Sequence, residues 1–262
     1  MKIALFQMNI SWENKENNYL HLEEKIVEIK KKKFELLLLP EMSFTGFSMD
    51  IKKIKESEEE TLQVIKKISQ KYGIAIGFGW VKDCGLKAEN HYTIISCKGE
   101  IISDYTKIHP FSYSGEDKKI IRGEEIIFFS LNNIIFSSFI CYDLRFPELF
   151  QIASRQANVI IIPANWPEKR REHWNCLLKA RAIENQIYIL AINCVGKIGD
   201  IYYSGDSCVI NPNGEVLETA KDIERLLEFD LIDDVDCYRK EFPIKQDRRE
   251  ELYYNLYRET IK

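Results

Sequence analysis

The decisive stretch of the sequence is Ser137-Ser138-Phe139-Ile140-Cys141-Tyr142-Asp143-Leu144-Arg145-Phe146-Pro147-Glu148. The apolar segment that leads into it, residues 134–140, is typical of a buried strand, and Pro147 is typical of the first turn of a helix. Cys141 is therefore expected where a strand turns into a helix. Such a turn can expose a cysteine sulfur at a sheet edge, and a nucleophile needs that exposure. The rest of the sequence must supply the groups that would activate it.

Strand-like and helix-like segments alternate on both sides of this stretch. Helical spacing of apolar residues predicts helices over 14–33, 57–72, 147–155 and 170–186. Apolar runs predict strands over 3–7, 35–39, 74–81, 92–97, 101–105, 126–131, 134–140, 159–163, 187–195, 207–211 and 216–219. Hairpin turns are expected at Asn132-Asn133 and at Asn211-Pro212-Asn213-Gly214. Helices interleaved with both strands and hairpins predict a mixed α/β sandwich and not an all-parallel doubly wound sheet.

Length and composition limit the possible classes of protein. The 262 residues, of which 45% are hydrophobic, predict a single domain over 1–262. Its charged tail, about 238–262, is expected to pack over the domain or over a partner subunit. The net charge of -4 favours neither nucleic-acid nor membrane binding. Residues 1–8 are expected to form a buried first strand and not a secretion signal, so a cytoplasmic location is expected.

The cysteine pattern argues against a disulfide or zinc framework. There are seven cysteines, their spacing is wide, and no Cys-x-x-Cys motif occurs. Apart from Cys141, they are expected to be small buried apolar residues. The Gly77-Phe78-Gly79 segment lacks a third glycine and a helix start, so it is a poor nucleotide-binding signal.

A catalytic cysteine needs a base or a cationic neighbour, because the thiolate is the nucleophile. None of the four histidines (His21, His91, His109 and His173) lies in a segment that otherwise looks like a site, although a Cys–His hydrolase stays open. Glu41 directly follows a buried strand and Pro40, where apolar surroundings suit a general base. Lys107 ends another predicted strand. Taken singly, Glu41 could be an ordinary loop carboxylate and Lys107 an ordinary solvated lysine.

Glutamate, lysine and cysteine, each after a strand and in that order, resemble the nitrilase superfamily of carbon–nitrogen hydrolases. The resemblance covers essentially the whole chain. The motifs that carry it are Pro40-Glu41, Lys107-Ile108-His109-Pro110-Phe111, the stretch from Cys141 to Glu148, Asn165-Trp166-Pro167, Lys179-Ala180-Arg181-Ala182-Ile183-Glu184-Asn185-Gln186, Tyr203-Ser204-Gly205-Asp206-Ser207 and Asn211-Pro212-Asn213-Gly214-Glu215. With His173-Trp174 after the tryptophan motif, the chain looks most similar to the omega-amidase branch, whose members hydrolyse the terminal amide of 2-oxoglutaramate and 2-oxosuccinamate.

The resemblance implies a four-layer αββα sandwich, a homodimer or larger homo-oligomer, and no metal or organic cofactor. It implies that Glu41 is the general base and that Cys141 attacks the amide carbon to form a thioester. Lys107 and the backbone N–H of Tyr142 would hold the oxyanion. Glu116, nine residues after the lysine, would position Lys107 and the substrate amide.

The remaining motif residues are expected to shape the substrate pocket. Asn165 and Trp166 would border it. Arg145 would either bind a substrate carboxylate or anchor its loop to Glu148 or Glu184, and the anchoring role is favoured. Arg181 and Glu184, three residues apart on one helix, are expected to form a structural pair.

One departure from the family pattern makes the substrate less certain than the mechanism. Pro110 stands where family members commonly carry leucine, next to the lysine loop. Other branches, acting on N-carbamoyl compounds or aliphatic amides, remain alternatives, and nitrile hydrolysis is disfavoured. A non-catalytic scaffold that kept the fold is a further alternative, although the intact set of Glu41, Lys107, Glu116 and Cys141 argues against it.

Overall fold

The computed structural model of the chain describes residues 1–198, 200–232 and 234–260. Its strands in chain order are β1 (Lys2–Gln7), β2 (Leu36–Leu38), β3 (Ala75–Cys84), β4 (Lys87–Ile95), β5 (Ile101–Thr106), β6 (Ile120–Ile121), β7 (Phe128–Leu131), β8 (Ile134–Ser138), β9 (Val159–Ala164), β10 (Tyr188–Asn193), β11 (Val195–Ile198), β12 (Ile201–Ile210), β13 (Val216–Lys221) and β14 (Arg225–Asp230). Its helices are α1 (Lys15–Ile29), α2 (Ile51–Ile54), α3 (Glu60–Tyr72), α4 (Glu116–Lys119), α5 (Pro147–Ala153), α6 (Arg171–Asn185), α7 (Val235–Glu241) and α8 (Glu250–Thr260).

The strands form two sheets. The first has the order β14-β1-β2-β3-β4-β5, with β6 paired to β4. The second has the order β11-β12-β10-β9-β8-β7, with β13 paired to β12. Both sheets mix parallel and antiparallel pairs. In the first, β2 is parallel to β1 and β3, whereas β4 is antiparallel to β3. In the second, β9 is parallel to β8 and β10, whereas β12 is antiparallel to β10. This mixture is the one that the sequence predicts.

The apolar pattern of β2 explains the layers. Leu36 and Leu38 belong to the core between the two sheets, whereas Leu37 and Leu39 pack toward the helices that cover the first sheet. Successive side chains of a strand point to opposite faces, so this continuous apolar run is buried on both. Helices α1 and α3 supply the outer layer there, with Leu22, Ile26, Leu62 and Ile65.

Helices α5 and α6 contribute Phe150, Trp174, Leu178 and Ala182 to the core on the side of the second sheet. The layers therefore run helix, sheet, sheet, helix, which confirms the predicted αββα sandwich. No helix in the described part of the chain is both long and apolar enough to cross a bilayer.

Strand direction decides where the functional groups meet. Strand β3 is parallel to β2, and β4 is antiparallel to both β3 and β5, so β2 and β5 run in the same direction. Their carboxyl ends lie at one edge of the first sheet. The carboxyl ends of β8 and β9 lie together in the same way in the second sheet.

Local signals account for several element ends. The side chain of Asn14 accepts a hydrogen bond from the N–H of Asn17 and caps α1. Helix α3 ends at Gly73, which adopts a φ of +65° as a C-cap requires. Pro147 occupies the first turn of α5, as predicted.

The structure corrects several predicted boundaries. Helix α1 stops at Ile29 and a 3₁₀ turn follows, β3 and β4 extend into a longer hairpin, and β12 starts at Ile201 where the prediction has residue 207. Strand β14, which pairs with β1, lies in a segment where the sequence predicts no element. The tail predicted over 238–262 contains α8, and residues 261 and 262 lie outside the described residues.

Candidate active site

The predicted catalytic side chains meet across the two sheets. Glu41 follows β2 and Lys107 follows β5, both at one edge of the first sheet. Cys141 follows β8 and Asn165 follows β9, both from the second sheet. The candidate site thus lies where the edges of the two sheets meet.

The ammonium group of Lys107 lies between two buried carboxylates. Its Nζ is 2.8 Å from Oε1 of Glu41 and 3.0 Å from Oε2 of Glu116. All three side chains are fully buried, with a side-chain exposure of 0%. An isolated buried charge is very costly, so the ammonium of Lys107 is stable here only because the two carboxylates compensate its charge.

Asn90, in the middle of β4, joins the two carboxylates. Its Nδ2 donates to Oε1 of Glu41 at 2.9 Å and to Oε1 of Glu116 at 3.2 Å. The side chain is fully buried. The amide therefore fixes the positions of both carboxylates without adding charge to the cluster.

A close backbone approach holds the loop that carries Glu41. A Cβ atom at Gly79 would lie 2.3 Å from the N of Met42 and 2.8 Å from the carbonyl carbon of Glu41. Ser43 reinforces the approach, because its N–H donates to the Gly79 carbonyl at 3.0 Å and its Oγ accepts from the Gly79 N–H at 2.9 Å. Gly79 is thus explained by packing and not by phosphate binding. The same holds for Gly77, where a Cβ atom would lie 2.8 Å from side-chain atoms of Leu38 and Ile94.

Cys141 begins a 3₁₀ turn, Cys141–Arg145, and has a φ of +46°. This left-handed conformation is strained for a residue with a Cβ atom, and strain of this kind is concentrated at functional sites. Asp143 stabilises the turn: its Oδ2 accepts from the N–H of Ile140 at 3.0 Å and from the hydroxyl of Tyr105 at 2.8 Å. Its Oδ1 accepts from the N–H of His109 at 2.9 Å. Asp143 therefore ties the cysteine turn to the lysine loop.

Asn165 connects the thiol with the first sheet. Its carbonyl accepts from Sγ of Cys141 at 3.9 Å, and its N–H donates to Oε2 of Glu41 at 3.0 Å. The buried thiol of Cys194 donates to its Oδ1 at 3.1 Å. Asn165 thereby contacts both the sulfur and the carboxylate that would activate it.

The electrostatics of the cluster favour a neutral thiol beside a charged lysine. Burial raises the pKa of Cys141 well above its usual range, and the charge of Glu41 raises it further. Burial opposes the charge of Lys107, but Glu116 and Glu41 outweigh it and raise the pKa of the lysine. Burial also raises the pKa of Glu116, although Lys107 counteracts the rise. Ionisation of the thiol therefore requires a base.

A cavity of about 440 Å³ opens onto this cluster. The residues that line it include Cys141, Lys107, Tyr142, Asn165 and Trp166. This volume suits a small molecule. In the part of the chain that the structure describes, no histidine lines the cavity, so the Cys–His alternative loses its support.

Arg145 also lines the cavity, and the structure does not pair it with Glu148 or Glu184. Its guanidinium lies over the ring of Trp166, 4.7 Å from the centroid, and its Nη2 is 3.3 Å from Nδ1 of His173. Glu184 instead pairs with Arg181 at 2.9 Å, as predicted for that helix. The favoured anchoring role of Arg145 is therefore replaced by a position that faces the cavity.

The sequence pattern does not single out several residues of the site. Asn90 leaves no signal, because it stands between Glu89 and His91 and before the strand predicted over 92–97. Asp143 leaves one, its position two residues after the cysteine. Arg170 lines the cavity but leaves no signal, because it follows two other charged residues. Among the described residues, no group of three or more His, Cys, Asp or Glu side chains is arranged to hold a metal ion.

Comparisons with known proteins agree with this geometry. The sequence model of the family described as carbon-nitrogen hydrolase matches residues 2–234. A 2-oxoglutaramate amidase from Bacillus subtilis (strain 168) is 34% identical, with 96% of this chain and 98% of the relative covered. An omega-amidase from Escherichia coli (strain K12) is 30% identical, with 95% and 97% covered.

A solved structure shares the fold over nearly the whole length. It is a CN-hydrolase superfamily protein from Xanthomonas campestris with an arsenic adduct in its active site. It superposes with a TM-score of 0.89 at 26% identity, over 95% of this chain and 97% of the other. These matches confirm the predicted superfamily and its omega-amidase branch. The chain belongs to the carbon–nitrogen hydrolase family.

Proposed function

We propose that the chain is an amidase that hydrolyses the terminal amide of a small 2-oxo dicarboxylic acid monoamide, such as 2-oxoglutaramate or 2-oxosuccinamate, to the acid and ammonia. The observation that carries the proposal is the ammonium of Lys107, buried between Glu41 and Glu116 in a cavity that Cys141 also lines. A buried cation, a base and a thiol are the groups that acyl transfer from an amide requires.

The first half of the proposed reaction forms a thioester. Glu41 takes the proton of the Cys141 thiol, and the sulfur attacks the amide carbon. The ammonium of Lys107 and the backbone N–H of Tyr142 hold the negative oxygen of the tetrahedral intermediate. Glu41 then gives the proton to the departing nitrogen, so that ammonia leaves and the carbonyl re-forms as a thioester.

The second half releases the acid. Glu41 takes a proton from a water molecule, whose oxygen attacks the thioester carbon. The same oxyanion groups hold the second tetrahedral intermediate. When it collapses, the carbon–sulfur bond breaks, the proton returns to the sulfur, and Cys141 is again a neutral thiol. Glu116 and Asn90 keep Lys107 and Glu41 in place throughout.

The substrate class follows from the wall of the cavity and from the relatives. Arg145 faces the cavity, which makes it a ligand for the carboxylate at the far end of the substrate. Trp166 and Asn165 line the same cavity as Cys141 and this guanidinium. The names of the Bacillus subtilis and Escherichia coli relatives support an omega-amide as the scissile group.

Ammonia release from a panel of amides tests the proposal. The wild-type chain is expected to prefer 2-oxoglutaramate over N-carbamoyl amino acids, simple aliphatic amides and nitriles. Cys141→Ala is expected to abolish hydrolysis and to keep the unfolding temperature within a few degrees of wild type. A preference for N-carbamoyl compounds would reassign the chain to another branch, and activity that survives Cys141→Ala would refute the thioester route. Inactivity on the whole panel would favour a scaffold.

We further propose a homo-oligomer and a cytoplasmic location. Helix α8 carries Leu252, Tyr253, Leu256 and Tyr257 on one face, all of them exposed in the single chain, which supports burial against a second copy. All seven cysteines are free thiols, which supports a reducing compartment.

A further inference from the structure

Two arginines at the cavity have no acidic partner among the residues that the structure describes. Arg145 lies over the ring of Trp166, and Arg170 lies over the ring of Phe111 with its Cζ 5.2 Å from the centroid. Both line the cavity. Within residues 1–198, 200–232 and 234–260, neither guanidinium forms an ion pair with a carboxylate.

Other half-buried or buried arginines of the same region are paired. Arg171, the next residue after Arg170, lies 2.7 Å from Asp206. Arg181 lies 2.9 Å from Glu184 and also donates to the carbonyl of Leu144. The lack of a carboxylate is therefore a property of the two arginines that face the cavity and not of arginines in this part of the fold.

The two cavity arginines also act on each other. The pKa of Arg145 is lowered, first by burial and then by the positive charge of Arg170. Two guanidinium groups that repel each other in a partly closed space create a positive potential there, which an anion relieves. Guanidinium groups match the planar, two-oxygen geometry of a carboxylate better than any other side chain does.

The backbone fixes Arg170 relative to Arg145. The indole Nε1 of Trp166 donates to the carbonyl of Arg170 at 2.7 Å, and the N–H of Arg170 donates to the carbonyl of Pro167 at 3.0 Å. The tryptophan that anchors Arg170 is the same residue over which Arg145 lies. The pair is thus held by one aromatic side chain.

We propose that Arg170 and Arg145 together form a carboxylate-binding subsite, in which Arg170 sets the preference for amides whose far end is anionic. The inference rests on the proposed amidase function and adds to it a specificity residue outside the catalytic cluster. The acidic residues at the cavity, Glu168 and Asp200, are exposed, so water screens their effect on the subsite.

Steady-state kinetics on a charged and a neutral amide test the subsite. Arg170→Met is expected to raise KM for 2-oxoglutaramate by about 10- to 100-fold, because one charged hydrogen-bond donor is lost, while kcat changes little. Its kcat/KM for pentanamide, a neutral amide of the same carbon number, is expected to stay within about threefold of wild type. Arg170→Lys is expected to recover part of the loss.

Lys169→Met is the matched control, because it removes one positive charge from an exposed neighbour that also lines the cavity. It is expected to change KM by less than about threefold. Equal effects of the two variants on 2-oxoglutaramate, or an equal loss by Arg170→Met on both amides, would overturn the subsite. If wild type hydrolyses 2-oxoglutaramate and Arg170→Met behaves like the control, only the subsite fails, whereas the amidase proposal stands.

A binding measurement gives a readout that does not depend on turnover. The product-like dianion 2-oxoglutarate is expected to protect Cys141 of wild type from alkylation by iodoacetamide. Arg170→Met is expected to need about 10-fold more of it for the same protection, whereas Lys169→Met is expected to need the wild-type concentration. Absence of protection in wild type would contradict an anion subsite in the cavity, even if the amidase activity were confirmed.

Discussion

Lys107 shows how single residues build this site. A lysine after a strand is usually solvated, but this one is fully buried because two carboxylates balance its charge, and Asn90 donates to both of them. The cluster keeps the thiol of Cys141 neutral, since burial and the charge of Glu41 both raise its pKa. A thiol stored in this form is alkylated and oxidised more slowly than a thiolate, and it becomes a strong nucleophile when a base takes its proton.

Glu41→Gln separates the two effects of this carboxylate. We expect amide hydrolysis to fall by about 10²- to 10⁴-fold, because the general base is lost. We also expect the midpoint of Cys141 alkylation to shift to lower pH, because a negative charge that raises the thiol pKa is removed. Iodoacetamide labelling against pH, read by mass spectrometry, measures the second effect. An unchanged midpoint, or a shift to higher pH, would contradict this account of the cluster.

Position after a strand identifies the candidate reactive groups more readily than it identifies the residues that hold them. Glu41, Lys107 and Cys141 each stand directly after a strand, so the pattern of strands predicts that they meet at sheet edges. Asn90 and Asp143 act through hydrogen bonds to residues far away in the chain, and such partners become visible only when the sheets are assembled. The same holds for Arg145, whose surroundings in space decide between anchoring and binding.

At the level of elements, prediction succeeded where an apolar run or a turn signal is strong. The run in β2 and the asparagine pair between β7 and β8 are examples. Strand β14, Arg225–Asp230, was missed because charged residues occupy half of it. It is a strand because β1 offers it an unpaired edge, and this tertiary contact overrides its weak local preference.

The segment after α7 meets the carboxyl end of α5 through basic side chains. Lys245 donates to the carbonyl of Ser154, which caps α5, and Arg248 donates to the carbonyl of Glu184 near the end of α6. Positive groups at helix carboxyl ends are favourable. However, burial and then the charges of Arg239, Arg248 and Arg155 lower the pKa of Lys245 to about 7.

Lys245→Met tests, through the pH dependence of the free energy of unfolding, how the favourable contacts of Lys245 compare with the cost of its burial and of the neighbouring positive charges. Between pH 7 and 10.5 the unfolded chain binds a proton on Lys245 that the folded chain does not, so stability rises with pH across this range and is lowest below it. We expect the variant to be more stable than wild type at pH 6, by about 1–2 kcal/mol after solvent screening. At pH 10 the advantage is expected to vanish. Urea unfolding at both pH values measures it, and a pH-independent difference would contradict the shift.

At the scale of the whole molecule, the packing of the two sheets brings the candidate catalytic groups together. Glu41 and Lys107 follow strands of the first sheet, and Cys141 and Asn165 follow strands of the second. The strand and hairpin pattern predicts a mixed α/β sandwich, whereas the four αββα layers follow only from the family resemblance. Glu116 marks the limit of the strand pattern, because it begins α4 and does not follow a strand. The sequence could not predict the cavity wall, since Arg170 belongs to a short 3₁₀ turn without a distinctive pattern.

The exposed face of α8 predicts self-association. Leu256→Glu places a charge in that face and is expected to shift the sedimentation of the chain toward the monomer, while wild type sediments as a dimer or larger assembly. Leu86→Glu is the control, because Leu86 is equally apolar and fully exposed at a hairpin tip. A monomeric wild type, or equal sedimentation of both variants, would contradict burial of this face.

The pairing of β1 with β14 has a consequence for synthesis on the ribosome. Residues 2–7 emerge well before their partners, residues 225–230. At about 5–20 residues per second, the first strand waits roughly 10–45 s for its neighbour. During translation, and in any chain that stops before residue 225, β1 keeps an open, apolar edge of the kind that aggregates. Such chains therefore depend on chaperones or on proteolysis until β14 has been made.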